Sequence, residues 1–151
     1  MMPVSSPKIP VASTGEAQYQ NTPVNVKVVL SALWIAMLFL FAYVDMFGFF
    51  RADVLNAALK GEVGSTGLAA NQVFLTATLI YILLPSLMVV LSLLLTPRAN
   101  RITNIAVSLL YTATILRSCI GETWAYYLIG SAVEAVLLLA ITRTAWKWPR
   151  R

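Results

Sequence analysis

Four apolar runs, each near the length that crosses a bilayer, constrain this chain more than any other feature in it. They fall at about 26–49, 70–95, 102–120 and 125–146, and a hydrocarbon core about 30 Å thick takes about 20 helical residues. A backbone in lipid must satisfy its own N–H and C=O groups, so runs of this length are predicted to be helices. The expected fold is therefore all-α: an integral membrane four-helix bundle. Composition agrees, because 59% of the residues are hydrophobic and only 11% charged, against about 25% charged for a soluble domain.

An even number of spans puts both termini on one side, and the positive-inside rule says which. Lys8, Lys27, Arg98, Arg101, Arg143, Lys147, Arg150 and Arg151 flank that side, against Arg51 and Lys60 on the other. Both termini are expected to be cytoplasmic. Trp146 and Trp148 at one level, with Trp124, Tyr126 and Tyr127 at the other, suit the aromatic belts at the two interfaces.

Residues 1–23, rich in Pro, Ser and Thr with no apolar period, read as a disordered tail ahead of a membrane domain at 24–151. The first apolar run starts too late and is too long for a cleaved signal peptide. The short connections "TPRANR" and "GETW" make the second, third and fourth spans successive hairpins. The longer first outer loop, "RADVLNAALKGEVGSTG", holds a candidate interfacial helix. Asp53 would cap it, Val54, Leu55, Ala58 and Leu59 would form its apolar face, and Gly61 would end it.

The chain has no histidine and one cysteine, Cys119. Zinc sites, His-ligated haem, a Cys–His catalytic pair and an intrachain disulfide are thereby excluded, and no cofactor is expected. The net charge of +5 lies in clusters at segment ends, without the basic stripe and interleaved aromatics of a nucleic-acid surface.

Polar side chains crowd the outer halves of the spans. Asp45 sits near the end of the first, Tyr81 in the second, and Thr112, Thr114 and Arg117 in the third, while Tyr127, Gly130, Ser131 and Glu134 follow one another in the fourth. Steps of three and four place Tyr127, Ser131 and Glu134 on one helix face, and Thr114 and Arg117 on another. An intramembrane carboxyl is costly unless neutral or paired. Asp45, Tyr81, Arg117, Tyr127 and Glu134 are accordingly the candidate ligand-binding or ion-pair cluster, with Asp45 and Arg117 at similar depth for a salt bridge. A structural network of interhelical polar contacts accounts for the same residues.

With "YVDMF" closing the first run, "RANR" between the second and third, and "YYL" followed by an acidic residue in the fourth, the chain resembles a family of small bacterial four-span membrane proteins of unknown function. In architecture alone it is loosely similar to DoxX-like proteins. The resemblance implies a multi-pass protein of the bacterial cytoplasmic membrane and carries no activity.

Three functions fit these residues. The first is a non-enzymatic module whose outward-facing polar pocket binds a small or amphipathic ligand, or seats a partner membrane subunit or second copy. The second is a proton- or cation-coupled transporter using Glu134. The third is a membrane enzyme acting on a lipid-soluble substrate, for which no nucleophile, phosphate or metal motif is present.

Overall fold

The computed structural model describes residues 23–64 and 66–148. The expected disordered tail, but for Pro23, lies outside the described residues, as do Arg150 and Arg151 of the charge count. Five helices and a minimal hairpin follow in order: α1 (Val26–Gly48), α2 (Ala52–Leu59), β1 (Glu62–Val63), β2 (Leu68–Ala69), α3 (Gln72–Leu94), α4 (Pro97–Ser118) and α5 (Ala125–Trp146). Local chemistry sets the ends. The Asn25 and Asn71 side chains accept from Lys27 N at 2.9 Å and Phe74 N at 3.0 Å, capping α1 and α3. Pro97 occupies the first turn of α4, where its missing N–H costs nothing.

α1, α3 and α5 are each long and apolar enough to cross a membrane. α4 matches them in length but is not among them, because Arg98, Asn100, Arg101 and Asn104 crowd its first half. It begins before the apolar run at 102, since polar residues extend a helix as well as apolar ones do once Pro97 has started it.

Each long helix buries one seam. Leu30, Trp34, Met37 and Val44 face inward on α1, Asn104, Val107, Tyr111 and Ile115 on α4, and Ser131, Glu134, Leu138, Ile141 and Ala145 on α5. Alternating steps of three and four keep a stripe facing its neighbours along a helix pair, as in left-handed bundles.

α1 packs on α3 and α5, and α4 packs on α5 and more loosely on α3. Paired residues give antiparallel registers. Val44 lies against Gly130 and Gly48 beside Tyr126 for α1 and α5. Lys27 Nζ bonds the Leu93 and Leu95 carbonyls at 3.0 and 2.8 Å, and Phe41 meets Tyr81, for α1 and α3. Ser108 bonds Thr142 at 2.7 Å for α4 and α5. Gly130 is where α1 and α5 come closest, and a Cβ there would run into the Val44 side chain.

α2 forms where the outer-loop helix was expected, and Gly61, at φ +77°, takes the left-handed conformation just beyond its end. Asp53 is not its cap. Arg51 holds that position without a side-chain capping bond, and Asp53 sits inside the first turn with its carboxylate on Arg51. The two-residue pairing of Glu62 with Ala69 and Val63 with Leu68 was not expected from the sequence.

Candidate functional site

Pro85, buried in the middle of α3, organises the centre of the molecule. Lacking an N–H, it leaves the carbonyl four residues back, that of Tyr81, without its intrahelical donor. The hydroxyl of Tyr111 on α4 supplies the missing bond by donating to the Tyr81 carbonyl. The rings of Tyr81 and Tyr111 lie 4.6 Å apart between centroids, and the Tyr81 hydroxyl bonds Thr114 Oγ1 at 2.6 Å. A helix-breaking residue and two tyrosines thus fasten the loosest of the helix pairs.

Glu134 shares this layer. Counting one turn from the Val44–Gly130 contact along antiparallel α1 and α5 brings it level with Leu40 and Phe41, and Phe41 packs on Tyr81 at 6.3 Å. Glu134 is 2% exposed, and its Oε1 is buried without a hydrogen-bond partner among the described residues. A buried acceptor left unmatched costs about 1–3 kcal/mol, which makes it the outstanding polar anomaly of the structure. Asp45, Tyr81 and Tyr127 all stand within electrostatic reach of Glu134. Asp45, one residue past buried Val44, is exposed at the edge of the α1–α5 seam.

Of the five residues singled out in the sequence, Arg117 stands apart from this layer. It is exposed and makes no ion pair among the described residues, so the expected Asp45–Arg117 bridge is absent. Two residues beyond buried Ile115 put Arg117 about 200° around α4, on the outer face. α1 and α4 are moreover diagonal rather than adjacent.

The ion pairs among the described residues are at the loops. Arg51 binds Asp53 at 2.7 Å and Glu122 at 2.8 Å, and its guanidinium lies 4.8 Å over the Trp124 ring. The hydrogen bond to Asp53 is the main influence holding Arg51 above its ordinary pKa, with burial opposing it and Glu122 adding to it. Asp53 is held below the usual carboxylate range by the same bond. For Glu122, burial is the largest single effect and favours the neutral acid. The bonds from Arg51 and from the Trp124 and Thr123 amides, with the Arg51 charge, together outweigh it and hold the carboxyl below its ordinary value. This clamp joins the α1–α2 loop to the α4–α5 loop.

At the opposite end a second network is complete in itself. Trp34 Nε1 donates to Asn104 Oδ1 at 2.7 Å, Ser92 Oγ donates to the same oxygen at 3.3 Å, and Asn104 Nδ2 donates to Asn100 Oδ1 at 2.5 Å. Asn100 Nδ2 donates to the Ser92 carbonyl at 2.5 Å. With the Ser108–Thr142 bond, side chains of all four long helices are linked in one level. Between the two levels, Met37, Leu38, Phe41, Tyr81, Ile82, Pro85 and Tyr111 line a crease between α1 and α3 that is too tight to hold a water molecule and does not include Glu134.

A family model described as a family of unknown function (DUF6326) matches residues 20–151. The chain belongs to that family. No curated protein matches it, and no solved structure does. Within this DUF6326 chain the matched stretch takes in every element described above, the Glu134 layer and both networks included.

The sequence pattern places the polar side chains in the outer halves of the spans, so this network of Trp34, Ser92, Asn100 and Asn104 in the other half is an addition to it. Their helical steps were legible: Asn100, Asn104 and Ser108 recur every four residues and so share one face. Glu122 in this DUF6326 chain was read as loop, although a carboxylate just before a helix N-terminus is favourably placed.

Proposed function

We propose that this protein is a four-span membrane bundle with both termini in the bacterial cytoplasm and α2 lying in the outer interface, and that it binds a small or amphipathic ligand from the outer side. α4 joins α1, α3 and α5 as the fourth span, its Asn100, Asn104 and Ser108 turned into the bundle. The observation that carries the binding reading is the buried, unmatched Oε1 of Glu134. Protein interiors match nearly all such atoms, and here the candidate partners nearby are another acid and two tyrosines. Asp45, Tyr81, Tyr127 and Glu134, among apolar and aromatic walls, have the make-up of a ligand site with few polar anchors.

Binding is favoured over coupled transport by the far end of the bundle. Trp34, Asn100, Asn104 and Ser92 are fully buried there and bonded to one another, so a path from Glu134 to the cytoplasm would have to break a satisfied network. Catalysis has less support, since the sequence carries no nucleophile, phosphate or metal motif.

Native mass spectrometry of the protein released from its own membrane tests this. A bound mass present in the wild type and absent from Glu134→Leu, with both variants folded by circular dichroism, is the expected result. The same mass retained in Glu134→Leu would overturn the assignment of the site.

A further inference from the structure

Taking the ligand-binding reading as its base, we infer that the ligand is an amphipathic amine with a slender alkyl tail, its ammonium held between Glu134 and Asp45 and its tail laid in the crease between α1 and α3.

The charge follows from what each cation near the acids already does. Asp45 follows Val44, which packs on Gly130, and Glu134 lies one turn of α5 beyond Gly130, so the two acids flank one α1–α5 contact. Arg51 is committed to Asp53 and Glu122, and Arg117 is exposed on the far side of α4. Two neighbouring acids without a basic partner, one of them 2% exposed with an unmatched oxygen, form a site complementary to a positive charge that the chain itself does not deliver. An ammonium supplies both the charge and the N–H donors that Oε1 lacks.

An organic cation fits better than an inorganic one. No group of three or more potential metal-ligating side chains occurs among the described residues, whereas a hard cation wants several oxygens around it. The ring level with Glu134 is instead that of Phe41, packed on Tyr81, and aromatic faces attract ammonium groups.

The tail follows from the crease. Phe41, Tyr81 and Tyr111 are shared between the Glu134 layer and the crease wall, and Met37, Leu38, Ile82 and Pro85 complete an apolar lining. As it stands the crease excludes water, so a tail enters only with side-chain movement, and an unbranched chain demands the least of it. Met37 is the adaptable residue in that wall.

The experiment is calorimetric titration of the full-length protein in zwitterionic lipid nanodiscs at pH 7.5, with empty discs subtracted. The probes are octylamine, which is an ammonium at that pH, octanol, and sodium chloride as competitor. Saturable binding of octylamine is expected, weakened about tenfold or more by Glu134→Gln and measurably by Asp45→Asn, with octanol much weaker. Asp45 is exposed, so Asp45→Asn gives a folded comparison even if Glu134→Gln does not. Equal binding of octanol would overturn the amine assignment while leaving a ligand site in place. Displacement by sodium at the concentration that screens no other binding would make it an inorganic cation site. No binding of octylamine refutes this inference, and the co-purifying mass lost in Glu134→Leu then shows separately whether the underlying reading survives.

Discussion

Tyr111→Phe removes one oxygen from the centre of the molecule, and its cost should depend on a residue in another helix. The phenyl ring keeps the packing of Tyr111 on Tyr81 and its edge contact with Trp34. What is lost is the donor to the Tyr81 carbonyl, which Pro85 has deprived of its intrahelical partner. An unmatched buried carbonyl costs about 1–3 kcal/mol in a soluble protein, and interhelical bonds measured in a membrane average about 0.6 with a maximum near 1.7 kcal/mol. A loss of about 1–2 kcal/mol is therefore expected. In a Pro85→Ala background the backbone N–H at position 85 can bond the same carbonyl, so the cost of Tyr111→Phe should fall to a few tenths. Unfolding by sodium dodecyl sulfate in bicelles, followed by circular dichroism, gives the four stabilities of the cycle. Additivity of the two changes within about 0.5 kcal/mol would show that the tyrosine is not standing in for the missing amide.

The Trp34–Asn104 bond should give a coupling of about 0.6–1.7 kcal/mol between Trp34→Phe and Asn104→Leu in the same assay, and no coupling would make the network incidental. Gly130→Ala forces a methyl onto Val44 and should cost about 1–3 kcal/mol by overpacking, with relief in Gly130→Ala/Val44→Ala; an unchanged stability would refute the close approach. Because Glu122 is held below its unfolded value of 4.5, its contribution is complete above that value and disappears as pH falls through the lower folded one. Wild type should thus lose about 1 kcal/mol more than Glu122→Gln on acidification below that value, and parallel pH curves would dispose of the clamp. In a Cys119→Ser background, Thr66→Cys should react with an impermeant thiol reagent applied outside and Thr96→Cys should not; the reverse pattern would invert the topology.

The helices were legible because apolar length alone demands them. α5 spans the residues expected, α1 differs by one residue at its end, and α3 by two at its start and one at its end. α4 was misjudged at its start because hydropathy responds to burial in lipid, whereas a helix begins where capping and proline geometry let it begin. Polar Arg98, Asn100 and Arg101 hid five residues of helix. The β1–β2 pairing escaped because it depends on Gly64 and Gly67, both at positive φ, while the strands they join are too short for a side-chain alternation to show.

The pairing within the candidate site was illegible in the sequence, and the reason is geometric. Depth along a helix can be counted from sequence, and depth alone offered Asp45 the charge of Arg117. The angle around the helix needs a reference seam, which for α4 is set by Asn104, Val107, Tyr111 and Ile115. Measured from that seam Arg117 points away, and the two acids lose the partner that depth alone had offered them. Arg51, counted in the sequence only as an outer charge, draws Asp53 and Glu122 into the loop clamp instead. The basic side chains on this side of the molecule are thereby either spent on loop acids or turned outward. Glu134 and Asp45 are left without a basic partner among the described residues, and the same arrangement that refutes the expected salt bridge leaves the layer open to the positively charged ligand proposed above.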